Sequence, residues 1–315
     1  MNDIYKNAKS LLDIPKENII IEINSLTKDY GKNRGIFDIS FNIPKGCTFG
    51  FCGTNGAGKT TTLRHIMGFL KPDKGYVKVK GLNAWENSPL IKKYIGYLPG
   101  EIAFPSFATG SEFLEFQKEL LGLEDMTYAE KIINSLQLDP TANLKRMSKG
   151  MKQKTALVAA FMHSPEIIIL DEPTTGLDPL MRESFIDLIK EERNKGTTIV
   201  MSNHMFDELE ETCDYVAFIK EGHIINIVDM NIIRNRNKRE FLVGFKTKEG
   251  FSNINSSMVE ILEVHKEHNA YIVRVDNNQI DDMFKELNKY EVSIIKEIQY
   301  TLEDYFMEHV IKENK

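Results

Sequence analysis

The amino-acid sequence predicts an α/β core followed by a small α+β module. Three observations carry that expectation. A glycine-rich loop, Gly53-Thr54-Asn55-Gly56-Ala57-Gly58-Lys59-Thr60-Thr61, lies between a short apolar run, Cys47–Cys52, and a segment where Leu63, Ile66, Met67 and Leu70 recur at helical spacing. A second apolar run, Ile167–Leu170, has the unbroken hydrophobicity of a strand buried on both faces of a parallel sheet, and it ends in two carboxylates, Asp171 and Glu172. Strand-like and helix-like segments alternate up to about residue 230, where a polar stretch, Asn231–Glu240, marks a boundary.

The loop reads G-x-x-x-x-G-K-T, a phosphate-binding pattern. Glycines let the backbone turn tightly and bring its N–H groups against phosphate oxygens. Lys59 supplies a compact positive charge, and the Thr60 hydroxyl is a hard oxygen ligand of the kind Mg²⁺ accepts. The following helix adds the field of its N-terminus, which favours anions. The carboxylates after Leu170 complement this. In a phosphate-loop fold their strand is expected beside the loop strand, with Asp171 near Mg²⁺ and Glu172 able to polarise a water.

The chain has 315 residues, enough for one large domain and a smaller one. Its formal net charge is −6, with basic and acidic residues interspersed, so no nucleic-acid partner is expected. Cys47, Cys52 and Cys213 are too few and too unpatterned for a disulfide framework. No run approaches the ~20 apolar residues of a membrane-spanning helix, and residues 1–16 lack the apolar centre of a secretory signal. The histidines other than His204 show no metal-ligand spacing.

In chain order, residues 1–17 form an N-terminal extension and 18–230 the α/β domain. Asn18–Asn24 suits a first strand, and Phe37, Ile39, Phe41 and Ile43 alternate with polar residues as a half-buried antiparallel strand should. Tyr76–Lys80 is a further strand of this antiparallel β subdomain. From about Gly110 to Phe161 the period becomes helical, within a segment of about residues 101–162, and Thr109/Glu112 and Thr127/Glu130 have capping-box spacing. This is read as a helical subdomain inserted in the core. Thr197–Met201 is an apolar strand, Asp178-Pro179 opens a helix, and Tyr215–Lys220 with His223–Val228 forms a hairpin. Residues 231–315 form the accessory α+β module, with strands at Phe241–Lys246, Met258–Val264, Tyr271–Val275 and Val292–Ile298 and helices at Gln279–Asn288 and Leu302–Ile311.

Four further segments complete a resemblance. Met147-Ser148-Lys149-Gly150-Met151-Lys152-Gln153 looks like the signature sequence of ATP-binding-cassette proteins, Gly176-Leu177-Asp178-Pro179 is similar to their D-loop, Ser202-Asn203-His204 to their switch histidine, and Tyr30 stands where the family places an adenine-stacking aromatic. In order and spacing the chain from 18 to 230 resembles that family, and in particular the separate-chain ATPases of exporter-type transporters.

The resemblance implies ATP and Mg²⁺ as ligands. It implies that Gly53, Thr54, Asn55, Gly56, Ala57, Gly58, Lys59, Thr60 and Thr61 hold phosphates, that Thr60 and Asp171 hold the metal, and that Glu172 is the general base. His204 would sense the γ-phosphate. Ser148, Lys149, Gly150 and Asp178 would complete the nucleotide site of a second ATPase subunit, a copy or a close relative. Integral membrane permease subunits are the implied partners, which would place the chain on the cytoplasmic face of a membrane. The sequence departs from the family at Gly100-Glu101, where a glutamine is usual, and at Lys149 and Met151 in the signature. A soluble ATPase of the same family, acting on ribosomes or nucleic acid, is the competing expectation.

Overall fold

The phosphate-loop strand, β3 (Thr48–Cys52), lies inside a six-stranded sheet ordered β10-β9-β3-β8-β7-β6. The other members are β6 (Ile95–Leu98), β7 (Ile167–Asp171), β8 (Thr198–Asn203), β9 (Tyr215–Lys220) and β10 (His223–Asp229). This computed structural model describes residues 8, 11, 14–248 and 259–308, and the chain divides into two compact units, Met1–Met230 and Asn231–Lys315. Every residue of β3, β7 and β8 is buried, the polar Asp171, Ser202 and Asn203 at their ends included. The strands pair in parallel except β9 with β10. That hairpin turns through Glu221 and Gly222, both at positive φ (49° and 80°), the pairing a tight hairpin turn demands.

One expectation fails here. β7 is not adjacent to β3, because β8 lies between them. The apolar character of a strand sets its depth in a sheet but not its neighbour. That is decided by the helical crossovers, here α6 (Pro179–Asn194), which carries the chain from β7 to β8.

A second sheet, antiparallel and ordered β2-β1-β4-β5, packs with this core through β1 (Ile19–Asp29), β2 (Gly35–Pro44), β4 (Lys74–Val79) and β5 (Leu82–Asn83). Phe41 of β2 lies 5.1 Å from Phe49 and 5.7 Å from Phe51, so aromatic packing joins this sheet to the loop strand. The predicted alternation holds from Ile39 to Ile43 and slips before it. Asp38 has φ 49°, the pairing shifts between Leu26–Ile39 and Lys28–Ile36, and Ile36 rather than Phe37 enters the core. Phe37 stacks instead on His223 at 5.4 Å.

The loop helix α1 (Lys59–Ile66) buries Leu63 and Ile66 but stops before Leu70. Gly68 has φ 64°, a left-handed backbone that ends the helix, and a Cβ there would meet the Ala84 carbonyl oxygen at 2.1 Å. After the short α2 (Ser88–Ile91) come α3 (Gly110–Leu121), α4 (Thr127–Ser135) and α5 (Lys149–Phe161). Thr109 caps α3 by accepting from the Glu112 amide (3.2 Å), but Glu112 reaches back to Ala108 rather than to Thr109. Thr127 is no cap: Met126 occupies that position, and Asp125 accepts from the Thr127 amide at 2.9 Å. A buried cluster ties α4 to the end of α6. Glu192 accepts from Tyr128, from Lys195 (2.8 Å) and from Thr197 (3.0 Å).

In the second unit, β11 (Lys238–Phe245), β12 (Glu260–His265), β13 (Ala270–Asp276) and β14 (Val292–Ile298) form an antiparallel sheet ordered β12-β13-β11-β14. A helix over Ile280–Leu287 buries Met283 and Leu287 in the core formed by Phe241, Val243, Phe245 and Val273. A last short helix, Leu302–Phe306, opens with a capping box between Thr301 and Asp304. Met258, and the expected helix beyond Glu308, lie outside the described residues.

Candidate active site

Parallel pairing brings three loops to one edge of the sheet. Cys52 is level with Asn203, and Ser202 with Asp171, so the chain leaves β3, β7 and β8 at the same height. Sites of open α/β sheets form outside these carboxyl ends.

Each glycine of the loop has its own reason. At Gly53 a Cβ would meet the Ile219 carbonyl oxygen at 2.3 Å, and at Gly58, the helix N-cap with φ 114°, it would meet Ile36 at 2.7 Å. Gly56 has φ 80° with open space around it, so there the left-handed backbone alone calls for glycine. Lys59 is only 4% exposed. Its Nζ donates to the carbonyls of Gly53 (2.7 Å) and Thr54 (3.3 Å) and stands 3.8 Å from Glu172 Oε1. Burial pushes the thiol of Cys52, just before the loop, up to about 12, against the pull of Lys59.

A cavity of about 650 Å³ opens here. Tyr30, Asn55, Gly56, Gly58, Lys59, Thr60, Thr61, Asp171 and Glu172 line it, together with Gly100 and Glu101 from the segment after β6. Arg34 and Arg64 line it too, and sequence reasoning missed both. Arg64 sits one turn after Thr60, so helical spacing from the loop was the available signal. Tyr30 is 48% exposed and lines the cavity.

Asp171 is 1% exposed, and its Oδ1 accepts from Ser202 Oγ at 2.6 Å. No hydrogen bond reaches Oδ2 among the described residues. Gly100 leaves room beside it, since a Cβ there would lie 3.1 Å from Oδ2. Glu172 has φ 49°, a left-handed backbone that costs a non-glycine residue on the order of 1 kcal/mol or more. Two contacts hold the turn. The Glu172 amide donates to Ser202 Oγ (3.1 Å) and Ser202 O (3.2 Å), and Gln153 of α5 donates to Pro173 O at 2.7 Å. Ser202 therefore holds both carboxylate-bearing residues, a consequence of β8 lying beside β7. Ser202→Ala should cost about 1–3 kcal/mol of stability by leaving buried Asp171 under-bonded. It should also lower ATP turnover on the order of tenfold. Thermal melts and a phosphate-release assay check this; unchanged values for both would remove Ser202 from the site.

The other expected residues do not line this cavity. Gly53, Thr54 and Ala57 form the base of the loop, with Ala57 N donating to Thr54 O and Gly222 N to Ala57 O. His204 is exposed at the end of β8, its amide held by Asn203 Oδ1 at 2.7 Å. Asp178 caps α6 through the Met181 amide (3.0 Å), and Ser148 caps α5 through the Met151 amide (3.2 Å). Ser148 and Lys149 are exposed and lie outside the lining of this cavity. Gly150 packs against the D-loop-like turn, where a Cβ would lie 2.7 Å from Gly176 O.

A glycine loop between a buried strand and a helix, facing a strand-end carboxylate pair, defines a phosphate-loop nucleotidase. The family described as ABC transporter matches residues 36–175. Among curated proteins, the chain is 31% identical over 301 residues to the bacitracin transport ATP-binding protein BcrA of Bacillus licheniformis, covering 91% of this chain and 96% of that one. It is 34% identical over 213 residues to the linearmycin resistance ATP-binding protein LnrL of Bacillus subtilis, covering 66% and 68%. Among solved structures, an ATP-binding subunit of an ABC transporter superposes with TM-score 0.62 at 27% identity, over 69% of this chain and 92% of that one. A dimeric ATP-binding cassette bound to ADP and Pi gives 0.60 at 21% identity over 67% and 98%, which supports the fold. The chain belongs to the ATP-binding subunits of ABC transporters and is an ATP hydrolase of that family.

Proposed function

We propose that the chain powers outward transport through a separate membrane permease, working as one of two head-to-tail ATPase subunits on the cytoplasmic face of the membrane. The observation that carries this reading is the exposed start of α5. Ser148 and Lys149 lie at a helix N-terminus that favours anions, yet they are absent from the lining of the chain's own cavity. A γ-phosphate bound by another subunit gives that site its ligand. No helix among the described residues is long and apolar enough to cross a membrane. The relatives named for bacitracin transport and linearmycin resistance favour export over a role on ribosomes or nucleic acid.

Within one subunit, Tyr30 would stack on the adenine, and the amides of the glycine loop with Lys59 would hold the phosphates. Thr60 and Asp171 would hold Mg²⁺, whose charge offsets that of the phosphoryl group. The unbonded Asp171 Oδ2 and the space left by Gly100 fit that ligand. Glu172 would take the proton of the attacking water, with His204 set beyond the γ-phosphate.

Gly150→Asp is a poor probe of the trans arrangement, because any side chain there strikes Gly176 O within the same chain. Lys149→Glu reverses a charge while keeping a residue suited to the first helical turn. Lys149→Glu chains should bind ATP yet turn over poorly, since the new carboxylate repels the partner's γ-phosphate. Mixed with Lys59→Ala chains they should regain activity, because one composite site then has an intact loop and an intact signature. Mixed dimers that form without rescue would count against two equivalent sites shared in trans.

A further inference from the structure

Glu208 is a buried carboxylate that nucleotide binding does not explain. It lies in the first turn of α7 (Phe206–Thr212), where its neighbour Asp207 is exposed and Glu208 itself is 4% exposed. A carboxylate taken out of water is costly unless its oxygens are hydrogen-bonded. Oε2 accepts from Thr174 Oγ1 at 2.6 Å and from Asn203 Nδ2, while Oε1 lies 3.8 Å from Arg182 Nε. Thr174 is 4% exposed and Asn203 1%.

These partners come from different parts of the site's edge. Thr174 follows Glu172 by two residues, in the acid turn. Asn203 ends β8 and directly precedes His204. Arg182 stands in the first turn of α6, just beyond Asp178.

The Asn203 amide links Glu208 to His204. With Nδ2 turned to Glu208, Oδ1 faces the backbone N–H groups of His204 (2.7 Å) and Met205 (3.0 Å). The reverse orientation would aim an NH₂ at two donors and an oxygen at a carboxylate, so the contacts admit one orientation only. The carboxylate thereby sets the amide, and the amide sets the peptide that carries His204.

We propose that Glu208 is a positioning residue for ATP turnover, a buried strut that holds the His204 peptide in register with the acid turn carrying Glu172. The proposal rests on the roles assigned above to His204 and Glu172. It extends them to two residues, Glu208 and Asn203, that do not line the candidate cavity.

The test compares steady-state ATPase kinetics, nucleotide affinity by calorimetry, and deuterium uptake at the His204 and Met205 amides in the full chain. Glu208→Ala should lower kcat roughly tenfold, the lower end of what supporting groups around a site contribute, with nucleotide affinity within about twofold of the parent. Its 204–205 amides should exchange faster. Glu208→Gln, which can still present an oxygen to Asn203 and Thr174, should recover most of the activity and the slow exchange. Asn203→Ala should reproduce the loss, and the double variant Asn203→Ala/Glu208→Ala should lose no more than either alone.

A folded Glu208→Ala chain with unchanged kcat, or multiplying losses in the double variant, would overturn the strut. If Glu208→Ala does not fold, Asn203→Ala and Thr174→Val remove its partners instead and carry the same comparison. His204→Ala separates the two levels. Normal turnover in that variant discards the role of His204, whereas loss there with none in Asn203→Ala discards the strut alone.

Discussion

Replacing Glu172 by glutamine is expected to cut ATP turnover by roughly 10²–10⁴-fold, the range of a lost general base, while nucleotide binding persists. The substitution keeps the size of a side chain whose backbone is already held. The Glu172 amide is bound by Ser202 Oγ and Ser202 O, and the turn is braced by Gln153. What changes is charge. Glu172 stands 3.8 Å from Lys59 Nζ and lines the cavity, so its carboxylate competes with phosphate for that ammonium. The neutral amide removes the competition as well as the base. ATP should therefore be held longer, and a dimeric species should build up on size-exclusion chromatography with ATP and Mg²⁺. Phosphate release at the parental rate would show that the base is elsewhere.

Lys59→Ala should act at the earlier step and weaken ATP binding itself. A charge-assisted contact contributes about 1.5–3 kcal/mol, roughly a ten- to hundredfold change in Kd. Lys59 Nζ also donates to the carbonyls of Gly53 and Thr54. Those oxygens belong to the loop's own backbone, so removing the side chain also loosens the cradle whose amides face the phosphates. Lys59→Met restores the apolar length but neither the charge nor the donor to Gly53 O and Thr54 O, so it should behave as Lys59→Ala does. Calorimetry should find both variants weak. An unaltered affinity in either would mean that the phosphates are bound at another place.

Much of the site was legible because its chemistry is local. The glycine loop, its strand and its helix are contiguous, and each residue type answers to a constraint within a few positions, such as the left-handed backbone at Gly56 and Gly58. The same holds for the hairpin at Glu221-Gly222, where two consecutive positive-φ residues sit between apolar runs. Local signals failed where a neighbour decided the outcome. Thr127 and Glu130 have capping-box spacing, yet Asp125 takes the Thr127 amide and the box never forms. The period-two pattern of β2 slips at Asp38 because pairing with β1 shifts there and turns Ile36 inward. The length of α1 was overestimated because the left-handed Gly68 ends it, with the amides of Gly68 and Phe69 turned back to His65 O and Arg64 O.

From the residues alone came the α/β class, the phosphate loop, the two carboxylates and the order of the motifs that tie the chain to its family. Each is a property of consecutive residues or of their spacing. Only the tertiary structure decided which strands are neighbours. By placing β8 between β3 and β7 it made Ser202 the residue that holds Asp171 and Glu172, and the tertiary structure likewise brought Arg34, Gly100 and Glu101 to the cavity and buried Glu208 between Thr174 and Asn203. The physical reason is that hydrophobic burial is non-directional. An apolar strand is stable in any interior slot of the sheet, so its sequence records that it is buried and leaves its partners to the crossovers that bring distant segments side by side.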